Sequence, residues 1–193
     1  VKAHSDGNEV SGPVPAQVWA EHSVWPQDPG FNRALAGGVT TLQVLPGSAN
    51  LIGGRGVTLR NVPAVSYQGM KFPGAPHGLK MACGENPKRV YGERMQAPST
   101  RMGNVAGYRA EWIAAQKYIH DWDEYARKVA GQATDGEPQL PVRDLKLETL
   151  AAALKGEILV HVHCYRADDM MTMLDLAEEF GYRISAFHHG VEA

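Results

Sequence analysis

Histidines lie near the ends of two predicted strands that follow each other along the chain. One strand is predicted at 158–164, with His163 close to its end, and the next at 184–190, with His189 close to its end. The carboxyl ends of neighbouring parallel strands lie at one edge of a sheet, so the two imidazoles can approach one ion. Neutral imidazole is a common zinc ligand, and zinc-bound water is a hydrolytic nucleophile. The pattern predicts half of a metal site in a hydrolase.

Alternation along the strands decides which histidines can share this site. Successive side chains point to opposite faces, so His161 and His163 share one face. By the same rule His188 and His189 point in opposite directions, and only one of them can face the same centre as His163. We select His189, because it is nearest the next loop and Gly190 lets the backbone turn close to a ligand. We interpret His161 and His188 as hydrogen-bonded core residues.

Length and composition limit the classes of protein to consider. The chain has 193 residues, 44% of them hydrophobic, which is enough for one sizeable core. A net charge of -2 without a block of basic residues argues against a nucleic-acid surface. No apolar run approaches the roughly 18 to 20 residues of a membrane span. We interpret Cys83 and Cys164 as small core or strand-end residues rather than a disulfide framework, which leaves the cellular compartment open.

Hydrophobic periodicity predicts the elements that position these residues. Strands are predicted at 39–45, 78–83, 158–164 and 184–190, and helices at 29–36, 105–129, 146–155 and 170–180. The apolar stripe of the longest helix is interpreted as core packing, and Ser48–Pro76 as a long loop with a small hairpin. Alternating strands and helices predict an α/β fold of parallel units, either a doubly wound sheet or a (β/α)8 barrel. A complete barrel takes about 250 residues and eight strands, so we expect an incomplete one.

Short polar and glycine-containing stretches are distributed along almost the whole chain. They are Asp6–Glu9, Ala36–Thr41, Leu45–Asn50, Gly84–Arg89, Pro98–Gly103, Arg166–Asp169 after His163, and His189–Ala193. In this order they resemble the imidazolonepropionase-like branch of the amidohydrolase superfamily. The resemblance implies a metal-dependent (β/α)8 TIM barrel with a small β-sandwich domain. It also implies hydrolysis of a carbon–nitrogen bond (amide, cyclic amide or dipeptide-like) in a small-molecule substrate, with one or two divalent ions, expected to be zinc.

The resemblance assigns roles to the two selected histidines. It makes His163 the metal ligand that ends barrel strand 5 and His189 the ligand that ends strand 6. The family's His-x-His pair of strand 1 and its general-base aspartate of strand 8 are expected outside residues 1–193. We therefore expect an internal fragment that covers about strands 2 to 6, lacks strands 1, 7 and 8 and the sandwich domain, and is inactive alone. The partners expected are the remainder of the same polypeptide or a second copy.

A residue that bridges two metals in that family comes from strand 3 or 4, where this chain offers Lys80 and Glu85. Lys80 lies within a strand and would bridge after carbamylation of its amine, whereas Glu85 lies just past the strand and would ligate directly. We favour Lys80, because a strand position is held more rigidly than a loop position. Arg55, Tyr165 and Arg166 are the candidates for substrate binding, and the two arginines could meet a carboxylate.

Two other classes of function stay open. The glycine cluster Gly53–Gly56 could cradle a phosphate in a nucleotide-binding α/β module, although it matches neither of the two common phosphate-loop patterns. Alternatively the histidines are structural, and the domain is a metal-free binding module. Metal analysis separates the hydrolase from both alternatives.

Overall fold

A computed structural model describes residues 6–132 and 136–193 and contains a mixed five-stranded sheet with helices against one face. The strands are β1 Thr41–Val44, β2 Ile52–Arg60, β3 Gly78–Ala82, β4 Leu159–His163 and β5 Ile184–His188. The helices are α1 Pro29–Ala36, α2 Tyr67–Met70, α3 Glu85–Gly92, α4 Arg101–Val129, α5 Leu145–Leu154 and α6 Ala167–Phe180, and a short 3-10 helix spans Ala20–Ser23. The domain predicted over 1–193 includes residues 1–5 and 133–135, which lie outside the described residues. No helix in the described residues is long and apolar enough to cross a membrane.

The strands follow chain order across a curled, half-barrel sheet. Strands β3, β4 and β5 are parallel, and α4, α5 and α6 lie in the connections between them. Strand β2 is antiparallel to both of its neighbours, so β1 and β2 form a hairpin. The predicted parallel units are therefore confirmed for β3, β4 and β5, whereas β1 is separated from β3 by an antiparallel strand that was not predicted.

Strand β2 lies within the region predicted as a long loop. Its glycines lower the strand propensity of the sequence, yet close packing requires two of them. Gly54 has a φ of +112°, and a Cβ there would lie 2.5 Å from the carbonyl oxygen of Val18. A Cβ on Gly56 would collide with the side chain of Leu45. The glycine cluster thus belongs to a strand, and the predicted phosphate-cradling loop is not formed there.

The main core lies between the sheet and helices α4 to α6. Alternate residues of β3 and β4 face the helices and are fully buried: Leu79, Met81, Val160 and Val162. In α4 the buried part of the stripe ends at Ala115, and Val129 is 60% exposed. The prediction that the whole stripe packs in the core is therefore wrong for the end of the helix, where Ala126 and Val129 are exposed, whereas Ile119 and Trp122 are partly buried.

Cys83 and Cys164 directly follow β3 and β4. Both are buried, which confirms their prediction as strand-end core residues. They are also joined by a disulfide bond, with their Cα atoms 5.2 Å apart. The expectation of two separate cysteines is wrong, because the parallel pairing of β3 with β4 places equivalent positions side by side.

Candidate metal site

The sheet face opposite the helices carries a group of basic side chains. Lys80 of β3 is paired with His161 of β4, and His163 is paired with His188 of β5. Lys80, His161 and His163 are buried, although their residue types usually prefer the surface or its vicinity. The strand register thus gathers nitrogen-bearing groups on one face, toward the carboxyl ends of the parallel strands.

His163 and His189 come together at this edge, as the sequence predicted. Their ring centroids are 4.7 Å apart. His189 directly follows β5 and has a φ of +58°, in the left-handed region that is uncommon for residues other than glycine. This turn breaks the alternation, so His188 and His189 both reach histidines of β4. The prediction that they point in opposite directions is wrong, while the selection of His189 as the partner of His163 agrees with the geometry.

The environment of His163 keeps its imidazole neutral. Burial, and after it the neighbouring His189, Lys80 and His188, together lower its pKa to about 4. Its Nε2 lies 3.1 Å from Nδ2 of Asn86. Its Nδ1 is buried and has no hydrogen-bond partner among the described residues. A neutral imidazole with one unpaired nitrogen is the form of histidine that binds a metal ion.

His161 and His188 form a separate hydrogen-bonded pair. His161 Nδ1 lies 3.0 Å from His188 Nε2, and His161 Nε2 lies 3.3 Å from Nε2 of Gln43 in β1. Burial is the main cause that lowers the pKa of His161, and the nearby His188 and Lys80 lower it as well. The two histidines are hydrogen-bonded to each other as interpreted, with His161 buried and His188 partly buried.

The two candidates for the bridging position differ in their surroundings. The Lys80 side chain is buried, and its Nζ donates to Ser48 Oγ at 2.9 Å and to the Pro46 carbonyl at 3.2 Å. Burial lowers the Lys80 pKa to about 8. Glu85 is the first residue of α3 and is exposed. The structure therefore brings Lys80, and not Glu85, onto the face that carries His163.

Of the three substrate-binding candidates, Tyr165 is the one beside the two histidines. Its ring meets the His163 ring edge-on, with centroids 4.5 Å apart, and its centroid lies 6.4 Å from that of His189. Arg166 is exposed, and its Nε and Nη2 donate to the Asp168 carboxylate at 2.8 and 2.7 Å.

Arg55 does not join this group. It is paired with Leu79, whose side chain faces the helices, so Arg55 lies on the face away from His163. Its Nε donates to Thr149 Oγ1 at 2.8 Å, and its guanidinium lies over the Trp19 ring. The structure therefore does not bring Arg55 together with the other predicted site residues, because its segment forms a strand that the sequence did not indicate.

The donor set fits part of a metal site. Across residues 6–132 and 136–193, no three His, Cys, Asp or Glu side chains are grouped so that they could hold a metal ion. A catalytic zinc needs three protein ligands and an open position. The imidazoles of His163 and His189 supply two donors of a suitable type, and Lys80 lies on the same face.

Asn86 is the residue near the site that the sequence analysis missed. The stretch Gly84–Arg89 contributed to the family resemblance and offered Glu85, but no role was predicted for Asn86, which the start of α3 brings beside His163. The signal available was its position directly after a strand that neighbours the His163 strand. Recognising it required the pairing of β3 with β4, which composition does not reveal.

The fold is a curled mixed sheet, and the site is a histidine pair at the carboxyl ends of two adjacent parallel strands. Two proteins named amidohydrolase are similar in sequence to this chain. Amidohydrolase tasK of Hapsidospora irregularis is 33% identical over 202 residues, which cover 100% of this chain and 21% of that protein. The crystal structure of an amidohydrolase from Thermotoga maritima MSB8 has a TM-score of 0.86 and 39% identity, over 95% of this chain and 45% of that one. No family model matches. The chain spans about a fifth of the curated relative and less than half of the solved one, and both relatives support an amidohydrolase-type family.

Proposed function

We propose that the chain contributes two ligands to the metal site of a hydrolase that cleaves a carbon–nitrogen bond in a small molecule. The observation that carries the proposal is the His163–His189 pair, in which a buried Nδ1 of His163 has no partner among the described residues. A buried nitrogen without a partner costs folding free energy, and ligation to a metal would remove that cost. The names of the two relatives support a hydrolase.

Each residue has a role in this proposal. A divalent ion, which we take to be zinc, would supply hydroxide near neutral pH and polarise the bond under attack. His163 and His189 would hold it, and Lys80 would join two ions if its amine were carbamylated. The low pKa of Lys80 favours that reaction, because carbamylation needs an unprotonated amine. The Tyr165 ring would limit the access of water to His163 from one side.

The remainder of the site is proposed to come from outside residues 1–193. We place the chain in about strands 2 to 6 of a (β/α)8 barrel of the imidazolonepropionase-like branch, with further ligands and the general-base aspartate elsewhere in the protein. The match to 45% of the Thermotoga chain supports this placement. The parallel strands β3, β4 and β5, which follow each other across the sheet, are compatible with it, whereas the antiparallel β2 departs from the all-parallel order of such a barrel.

Elemental analysis of the full-length protein tests the proposal. His163→Ala and His189→Ala should each lose most of the bound metal, because each removes a direct ligand. His120→Ala is the matched control, since His120 is an exposed residue of α4 that pairs with Glu124, and it should keep the metal. Undiminished metal in both site variants would contradict the proposal and favour a metal-free binding module with structural histidines.

A further inference from the structure

We propose that Asn86 is a positioning residue that determines which nitrogen of His163 is available to a metal ion. The inference rests on the proposed function and adds to it a residue, a hydrogen bond and a tautomer. It starts from the two ring nitrogens of His163. One of them, Nε2, faces the Asn86 amide at 3.1 Å, and the other, Nδ1, is buried without a partner among the described residues.

The position of Asn86 is fixed by the turn that precedes it. Gly84 has a φ of +64°, and a Cβ there would lie 2.6 Å from a carboxylate oxygen of Asp169, so the turn requires glycine. The Gly84 carbonyl accepts a hydrogen bond from Asn104 Nδ2 at 2.8 Å. The Cys83 amide donates to the His163 carbonyl at 2.8 Å. These contacts hold the first turn of α3 against the end of β4, so the amide of Asn86 is presented to one edge of the imidazole.

A neutral imidazole carries one N–H and one lone pair, so the group opposite Nε2 selects the tautomer. If the amide nitrogen of Asn86 faces Nε2, the proton lies on Nδ1, where it has no acceptor among the described residues. If the amide is turned so that Oδ1 faces Nε2, the proton lies on Nε2 and Nδ1 carries the lone pair. The two amide orientations have nearly the same shape. We therefore assign metal binding to Nδ1, with Asn86 Oδ1 accepting from Nε2–H.

Two substitutions at Asn86 separate this role from simple packing. Asn86→Asp can only accept, so it should fix the proton on Nε2 and retain or raise zinc affinity. Asn86→Leu has a similar size and cannot accept, so it should lower zinc affinity by about 10- to 100-fold, the usual effect of losing a hydrogen bond to a ligating histidine. Arg89→Leu is the control, because Arg89 is an exposed residue of the same helix, and it should leave the affinity unchanged.

The measurements are zinc competition with a chromogenic chelator and ¹⁵N NMR of the histidine rings, both on the full-length protein. In the metal-free protein, wild type and Asn86→Asp should show His163 protonated on Nε2. Unchanged zinc affinity in Asn86→Leu, an equal loss in both Asn86 variants, or a wild-type proton on Nδ1 would overturn the inference.

Failure of the proposed function would give a different pattern. Wild type would then bind no zinc, and His163→Ala would change nothing in the competition experiment. The NMR result would still decide whether Asn86 sets the tautomer of His163, because that measurement needs no metal.

Discussion

At the scale of single residues, the backbone of His189 is the clearest departure from ordinary geometry. A φ of +58° is unfavourable for a side chain with a Cβ, and such residues are concentrated at functional sites. Here the turn directs the His189 ring toward His163 although the preceding residue already points at His161. Local strain and the placement of a candidate ligand thus have the same origin.

His189→Gly tests this connection against His189→Ala. Both variants should lose metal, because both lack the imidazole. The glycine variant should be more stable than the alanine variant by about 1 kcal/mol in the metal-free protein, because glycine adopts this φ without strain. Thermal unfolding in the presence of a chelator measures the difference. Equal stability of the two variants would show that the turn is not strained.

Lys80 and Glu85 give the second prediction at this scale. Lys80→Ala should lose one metal equivalent, and short carboxylic acids or bicarbonate should alter its metal content, because they can occupy the space of a carbamate. Glu85→Gln should keep the metal, since Glu85 is exposed at the start of α3. Metal analysis after growth with and without bicarbonate makes the comparison. Two metals in Lys80→Ala together with one in Glu85→Gln would assign the bridge to Glu85.

At the scale of elements, α4 changes character along its length. Trp112 is fully buried, and its ring centroid lies 4.6 Å from that of Tyr182, whereas Trp122, farther along the helix, is only partly buried. Trp112→Ala should therefore lower the free energy of unfolding by about 3 to 5 kcal/mol, the usual cost of removing a buried aromatic ring.

Trp122→Ala is the matched substitution and should cost clearly less, because the Trp122 ring is only partly buried and its neighbouring rings, Tyr118 and Tyr125, belong to the same helix. The free energy of unfolding is measured in urea by circular dichroism, because each variant removes a tryptophan and so changes the fluorescence signal. Similar costs for the two tryptophans would mean that the second half of α4 packs as tightly as the first.

The sequence pattern was a good guide to four elements. It predicted α1 with its exact ends, found α5 within one residue, and identified β4 and β5 with their histidines. It failed at β2, where glycines are required by close backbone approach rather than by a turn. In α4, apolar residues continue at steps of three and four after Ala115, the last buried residue of the helix. Apolar spacing reveals which face of a helix could be buried but not how far the neighbouring element extends.

Part of the candidate site, like part of the fold, could be predicted from the sequence. His163 and His189 were found because they end strands, and Lys80 because it lies within one. Arg55 was misplaced and Asn86 was missed for a common reason. The face on which each residue lies depends on strand pairing across more than 20 residues of intervening chain, and no local pattern encodes that pairing.

At the scale of the whole molecule, the sheet presents two features that matter for folding. Within the described residues β5 pairs only with β4, so its other edge has no strand beside it. The face opposite the main core carries the buried side chains of Lys80, His161 and His163. Burying such polar groups costs free energy unless their polar atoms are hydrogen-bonded or bind an ion. Further strands beside β5 would cover the edge and enclose that face.

The last prediction is that residues 1–193 expressed alone fold poorly or aggregate, whereas the full-length protein is soluble and cooperative. An open strand edge pairs readily with other chains, and an incompletely enclosed sheet loses part of the burial that offsets chain entropy. Light scattering and thermal unfolding of the segment beside the full-length protein measure the effect. A monomeric segment with a sharp, cooperative melt and no added partner would contradict the prediction. The sheet would then be a self-sufficient α/β domain, and the histidine edge would be completed by something other than further barrel strands.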